Sequence, residues 1–201
     1  MIDGEGPIRP ADETSFGPDM EPLALDNPFW RFSLSVYSSQ QVRETCLDAQ
    51  DRHGVDVNLM LLCCWVGFSG VRLDGAGLKR LDRLVEGWRK EVIGPIRTVR
   101  RRLSEAVGPM GPQVTTGLRD DVKDAELKAE QIQQAVLFRA LETLPGRDAR
   151  HAERSGVARM NLTVYLRDVR GVGDTAVLKQ IVETTVLGCR DELEKEEDEP
   201  N

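Results

Sequence analysis

Residues 59–68 read LMLLCCWVGF, ten positions without one charged or amide side chain. A half-buried helix sorts polar from apolar residues every three or four positions and a half-buried strand every second one. This run does neither, so it is expected to be buried on all sides. Asp56 is placed to cap the first amides of a helix, and Val55 to staple against Met60 four residues into it. Gly67 and Gly70 are the expected stops. The run then becomes the central helix of a bundle.

Working outward toward the amino terminus, Asn27-Pro28 supplies a capping side chain and a proline suited to the first helical position, so a first helix runs through FWRFSLSVY. Ser38 and Gln41 have capping-box spacing for a second helix, which carries Val42, Cys46 and Ala49 on one face and ends at Gly54. In the other direction the pattern predicts a long fourth helix from about Leu78 to Val107. Its core stripe is Leu78, Leu81, Val85, Trp88, Val92, Ile96, Val99 and Leu103, and Pro95 should kink it because the bond to the Glu91 carbonyl has no donor. The segment GPMGPQVTTG, residues 108–117, reads as a linker. A fifth helix is expected over 118–144, with Asp120 and Asp121 in its first turn and Pro145-Gly146 as its stop. A sixth should cover 149–170, and a seventh should start at an Asp174 cap and bury Leu178, Ile181, Val182, Thr185 and Cys189.

The fold class is therefore all-α, a single helical bundle of about seven helices in a domain spanning 27–193, with a first half at 27–107 and a second at 118–193. Hydrophobic residues at 40%, charged at 30% and aromatic at only 5% suit a bundle better than a sandwich or barrel. Residues 1–26 hold seven acids against Arg9, and DELEKEEDEPN at the other end holds seven acids against one lysine. Such segments bury too little apolar surface to offset their ordering entropy, so disordered acidic termini are expected over 1–26 and 194–201. No signal peptide is read at the start, and the longest apolar run is far shorter than the roughly 20 residues a membrane helix needs. A cytoplasmic protein is expected. Cys46, Cys63, Cys64 and Cys189 show no C-x-x-C spacing and read as small buried hydrophobes without disulfides.

The run NPFWRFSLSVYSSQQVRETCLDAQDRHGVDVNLMLLCCWVG, followed by a tryptophan and EVIGPIRTVRRRL, resembles the proteobacterial domain-of-unknown-function family numbered 2390. The likeness is strongest over 27–107 and weaker beyond, and its most specific piece pairs Phe29-Trp30-Arg31-Phe32 with Asp56-Val57-Asn58-Leu59. It implies a bacterial cytosolic source and an all-helical fold, and it supplies no catalytic residues.

The least ordinary feature is charge. Residues 79–102 carry nine basic side chains and three acidic ones in a chain whose net charge is −7. On a regular helix Lys79, Arg83, Lys90, Arg97 and Arg101 fall opposite Trp88 and form a basic ridge. It suits phosphate, nucleic acid, an anionic membrane surface or an acidic protein; without such a partner, it is a solvated face paired with acids elsewhere. The overall acidity and the lack of interleaved aromatics argue against nucleic acid. A second candidate is a polar pocket inside the bundle near Trp30, Asn58, Trp88, Glu126, Glu130, Asn161 and Tyr165, where a glutamate would serve as acid or base; the competing reading is a self-satisfied core network. No E-x-x-H pair, P-loop, nucleophile elbow or Cys-His signature is present, so no metal, cofactor or catalytic residue is expected. The sequence favours a non-catalytic protein-binding or adaptor module acting through the basic helix, with a small-molecule-binding protein or enzyme as the alternative.

Overall fold

The computed structural model describes residues 21–141 and 154–198. They form an all-α bundle with no strand among them; one isolated bridge joins Val107 and Met110. The helices are α1 (Pro28–Ser38), α2 (Gln40–His53), α3 (Val57–Phe68), α4 (Gly75–Trp88), α5 (Gly94–Arg102), α6 (Pro112–Leu141), α7 (Arg154–Val164) and α8 (Thr175–Asp198). A π turn at Arg89–Ile93 makes α4 and α5 one continuous rod, and another at Tyr165–Val169 extends α7. Seven helical rods result among the described residues.

The apolar run is central. Leu59, Met60, Leu62, Cys63 and Cys64 of α3 are fully buried, and α3 contacts α1, α2, α6 and α7. Asp56 caps it as expected, accepting from the Asn58 and Leu59 amides at 2.9 and 3.3 Å. Asn27 caps α1 and Asp174 caps α8. Gly54, in the left-handed conformation that favours glycine, ends α2. Gly67 is no stop, however. It lies inside α3 where a Cβ would sit 2.3 Å from the Cα of Ala158, so its missing side chain lets α3 and α7 touch backbone to backbone. A similar approach brings α8 against Val42 of α2 at Gly188.

Several boundaries shift. Ser38 closes α1, and Ser39 precedes α2 without a side-chain cap bond, so the predicted capping box is not formed. The long rod starts at Gly75 and ends at Arg102. The predicted 108–117 linker is partly helical, because Pro112 begins α6; Asp120 and Asp121 therefore lie two turns inside it, away from the dipole end. α8 continues to Asp198, past the point where an acidic tail was expected to begin. Residues 1–20, the stop at Pro145-Gly146 and the predicted start of the sixth helix lie outside the described residues. Within the described amino-terminal piece, the Leu25 carbonyl accepts from Gln131 Nε2 of α6 at 3.3 Å. All four cysteines are buried and free.

The first π turn changes what the basic helix presents. A wider turn holds one extra residue and sets everything after it back by roughly 100° relative to a regular helix. Leu81, Val85, Arg89, Ile93 and Arg97 then share the inward line at four-residue spacing. The predicted stripe fails from Trp88 onward: Trp88 is 37% exposed and Val99 49%, while Ile93 is buried. Pro95 sits just after this turn, where its absent amide leaves the helical bond to Glu91 unmade.

Candidate functional site

Two polar clusters flank the amino-terminal end of α3. The inner one centres on Asp56, which is almost wholly buried. Its Oδ2 accepts from Arg89 Nη1 at 2.8 Å and from Gln133 Nε2 at 2.6 Å, and its amide donates to the Tyr165 hydroxyl at 3.0 Å. Arg89 also pairs with Asp82 at 2.9 Å, and Arg170 reaches Asp82 and the Gly54 carbonyl. Both π turns supply this hub, Arg89 from one and Tyr165 from the other. Burial, with the neighbouring Asp56 charge, pushes the Tyr165 hydroxyl well above its usual range, so it stays protonated. The Asp56 carboxylate is held by Arg89 and Gln133 as part of the bundle's packing, although Gln133 Oε1 and Arg170 Nε are buried with no hydrogen-bond partner among the described residues.

The outer cluster borders a cavity of about 400 Å³ enclosed by α1, α2, α3, α5 and α6. Trp30, Ser33, Leu34 and Tyr37 line it from α1, Arg43, Leu47 and Gln50 from α2, and Val57, Asn58 and Leu61 from α3. Arg97 and Arg100 come from α5, and Lys123, Glu126, Leu127, Glu130 and Gln134 from α6. Arg97 bridges two carboxylates: Nε donates to Glu126 at 2.7 Å and Nη2 to Glu130 at 2.6 Å. Arg100 also donates to Glu126. Gln134 Nε2 donates to Asn58 Oδ1 at 2.8 Å, while the buried Gln134 Oε1 has no partner among the described residues.

The two glutamates are held differently. Burial raises the Glu126 carboxyl, but the Arg100 and Arg97 hydrogen bonds outweigh it and bring Glu126 below its ordinary value. For Glu130, burial wins; repulsion from Glu126 adds to it and Arg97 only partly offsets it, so its carboxyl lies above the ordinary value. Burial also raises the Tyr37 hydroxyl.

Of the seven predicted pocket residues, the structure brings Trp30, Asn58, Glu126 and Glu130 around this cavity. The other three lie elsewhere. Asn161 is wholly buried and ties down the loop between α3 and α4, accepting from the Leu73 amide at 2.9 Å and donating to the Val71 carbonyl at 2.9 Å. Tyr165 belongs to the Asp56 hub. Trp88 donates from its indole to the Ala129 carbonyl at 2.9 Å across the α4–α6 contact. Arg97 leaves the predicted basic ridge for the cavity wall, because of the π turn. Lys79, Arg83, Lys90 and Arg101 are exposed, but Lys90 pairs with Glu86 and Arg101 with Asp51 of α2 at 2.6 Å. Sequence reasoning missed Arg43, Arg100 and Lys123 as cavity residues. Arg89 was missed in the hub; Pro95, six residues further along the same helix, was the local warning of an irregular turn.

Among the described residues no group of three or more histidine, cysteine, aspartate or glutamate side chains is arranged to hold a metal ion, and no helix is long and apolar enough to cross a membrane. The architecture defines an all-α bundle with a side cavity between its first and middle helices. The chain belongs to the family described as "Protein of unknown function (DUF2390)", whose model matches residues 28–137. That segment contains every cavity-lining residue and extends well past the 27–107 region where the resemblance was strongest. No curated protein and no solved structure matches the chain.

Proposed function

We propose that this protein binds a small organic molecule in the cavity between α1, α2, α3, α5 and α6, as a carrier or sensor. The carrying observation is the distribution of apolar surface. Leu34, Leu47 and Leu127 are 48%, 40% and 45% exposed, come from three different helices, and all line this one cavity. Exposed leucines scattered singly are ordinary; a set converging on a concave site of ligand size is the mark of a binding pocket. Polar groups, among them Asn58, Gln134, Glu130 and Arg97, converge on the same concave surface, where they would orient a ligand.

A thermal-shift screen with chemically diverse small organic compounds tests this. At least one class should raise the melting midpoint of the native protein, and the shift should disappear in Leu127→Trp, which fills the cavity from a half-exposed position. A panel that leaves the midpoint unmoved, or shifts that persist in the filled variant, overturns the reading.

One observation favours a second reading, the docking of an acidic protein on α4. Lys79 and Arg83 are exposed and make no ion pair within 4 Å among the described residues. Charge reversal there, Lys79→Glu with Arg83→Glu, would abolish capture of such a partner and leave the thermal shifts intact.

A further inference from the structure

Resting on the pocket reading above, we infer that the ligand is an amphipathic organic anion, with an apolar body and one negatively charged group held between Arg43 and Lys123. The argument begins with charge. The cavity wall carries Arg43, Arg97, Arg100 and Lys123 against Glu126 and Glu130. Arg97 and Arg100 are committed to the two carboxylates by the bonds described above. Arg43 gives one guanidinium nitrogen to the Tyr37 carbonyl at 2.9 Å, and neither it nor Lys123 has a carboxylate partner within 4 Å among the described residues. Two positive charges therefore remain uncompensated on one concave surface.

Spacing then fixes the shape of what they would hold. Arg43 lies four residues before Leu47 on α2, and Lys123 four residues before Leu127 on α6. Residues at that interval share a helix face. Each of two helices thus offers the cavity a cation with a half-exposed leucine one turn away, and Leu34 adds apolar surface from α1. A neutral apolar molecule would leave both cations idle, and a small inorganic anion would leave the leucines and Trp30 bare. A molecule carrying both features satisfies the whole wall, since charge-assisted hydrogen bonds fix its head and apolar burial its body.

Two dyes with the same apolar rings separate the possibilities: 1-anilinonaphthalene-8-sulfonate, which is anionic, and N-phenyl-1-naphthylamine, its uncharged counterpart. Fluorescence titration of the full chain should give saturable one-to-one binding of the anionic dye. Side-chain chemical shifts should move at Trp30, Leu34 and Leu127. Arg43→Gln with Lys123→Gln should weaken the anionic dye roughly tenfold and the neutral dye less than about twofold, the loss expected for a charge-assisted contact. Neither residue makes an ion pair among the described residues, so the double variant should keep the native circular dichroism spectrum, and its melting midpoint should fall by no more than the loss of the single Arg43 bond to the Tyr37 carbonyl. If both dyes bind at these residues and the double variant weakens neither, or both equally, the anion inference falls while the pocket stands. If neither dye binds saturably, or the shifts map elsewhere, the pocket reading falls with it.

Discussion

The two ends of α3 are packed by opposite means. At its carboxyl end Gly67 lies against the backbone of Ala158, and the contact is dry, apolar and too close to admit a methyl group. At its amino end Asp56 and Asn58 are surrounded by arginine, glutamine and tyrosine, and beyond Asn58 the helices part around a cavity. Close packing leaves no room for anything but protein. A polar, loosely filled end demands many partners and leaves space beside them. The lesson is that α3 anchors the bundle at one end and supports a site at the other.

The sharpest way to break the polar end is Asp56→Ala. It removes the α3 cap, leaves Arg89 with only Asp82 and strands Gln133. We expect a loss of about 4 kcal/mol, the scale for removing one partner of a buried ion pair. Urea unfolding measures it; a loss under about 1 kcal/mol would mean the hub is dispensable. The matching change at the dry end is Gly67→Ala. The backbone of Ala158 has no rotamer to escape into, so α3 and α7 must separate, at a cost of about 2 to 3 kcal/mol. A neutral outcome there would show that the crossing is less tight than the 2.3 Å approach implies.

A smaller effect sharpens the contrast. Leu127→Ala removes a side chain already 45% exposed, so it should cost less than about 1 kcal/mol, against the 2 to 5 kcal/mol usual for a buried leucine. The same substitution should weaken binding of the anionic dye several-fold. A residue that matters more to binding than to folding belongs to a site; a loss of stability without loss of binding would place Leu127 in the core.

The burial of α3 on all sides was legible in the sequence, but Gly67, expected as its stop, is instead its close contact with α7, and the polar end was legible only in outline. An unbroken apolar run such as LMLLCCWVGF has one stable solution in a bundle, and caps at Asn27, Asp56 and Asp174 are local signals that need no knowledge of the rest of the chain. Which way Arg97 points is not local. It depends on the extra residue in the π turn at Arg89–Ile93, and a regular period of 3.6 carried past that turn assigns Val99 to the core and Arg97 to solvent. The glutamates Glu126 and Glu130 were readable as one helix face, but their arginine partners sit about 30 positions earlier on a helix whose register had already slipped. Asn161 was correctly suspect as a buried polar residue. Its partners are the Cys63 carbonyl of α3, the Val71 carbonyl and the Leu73 amide, which no spacing rule reveals.

The smallest expected effect concerns pH, and it follows from the opposite treatment of the two cavity glutamates. Folding raises the Glu130 carboxyl, chiefly through burial. A raised acid binds a proton more readily in the native state than in the unfolded chain. Its stabilising contribution is complete below the unfolded value of about 4.3 and is lost as pH rises through the native value. Glu126 runs the other way: the Arg100 and Arg97 bonds overcome the burial cost and lower it, so its contribution is present above the unfolded value and lost as pH falls. Glu130→Gln isolates the first term, because a glutamine oxygen still accepts from Arg97 Nη2 while nothing titrates. The stability of the variant relative to the native protein should therefore increase as pH is raised from about 4 to about 7. Urea midpoints for both proteins across that range provide the measurement. A difference that stays flat, or that shrinks with rising pH, would show that Arg97 compensates Glu130 fully and that both carboxylates are ordinary ion-pair partners.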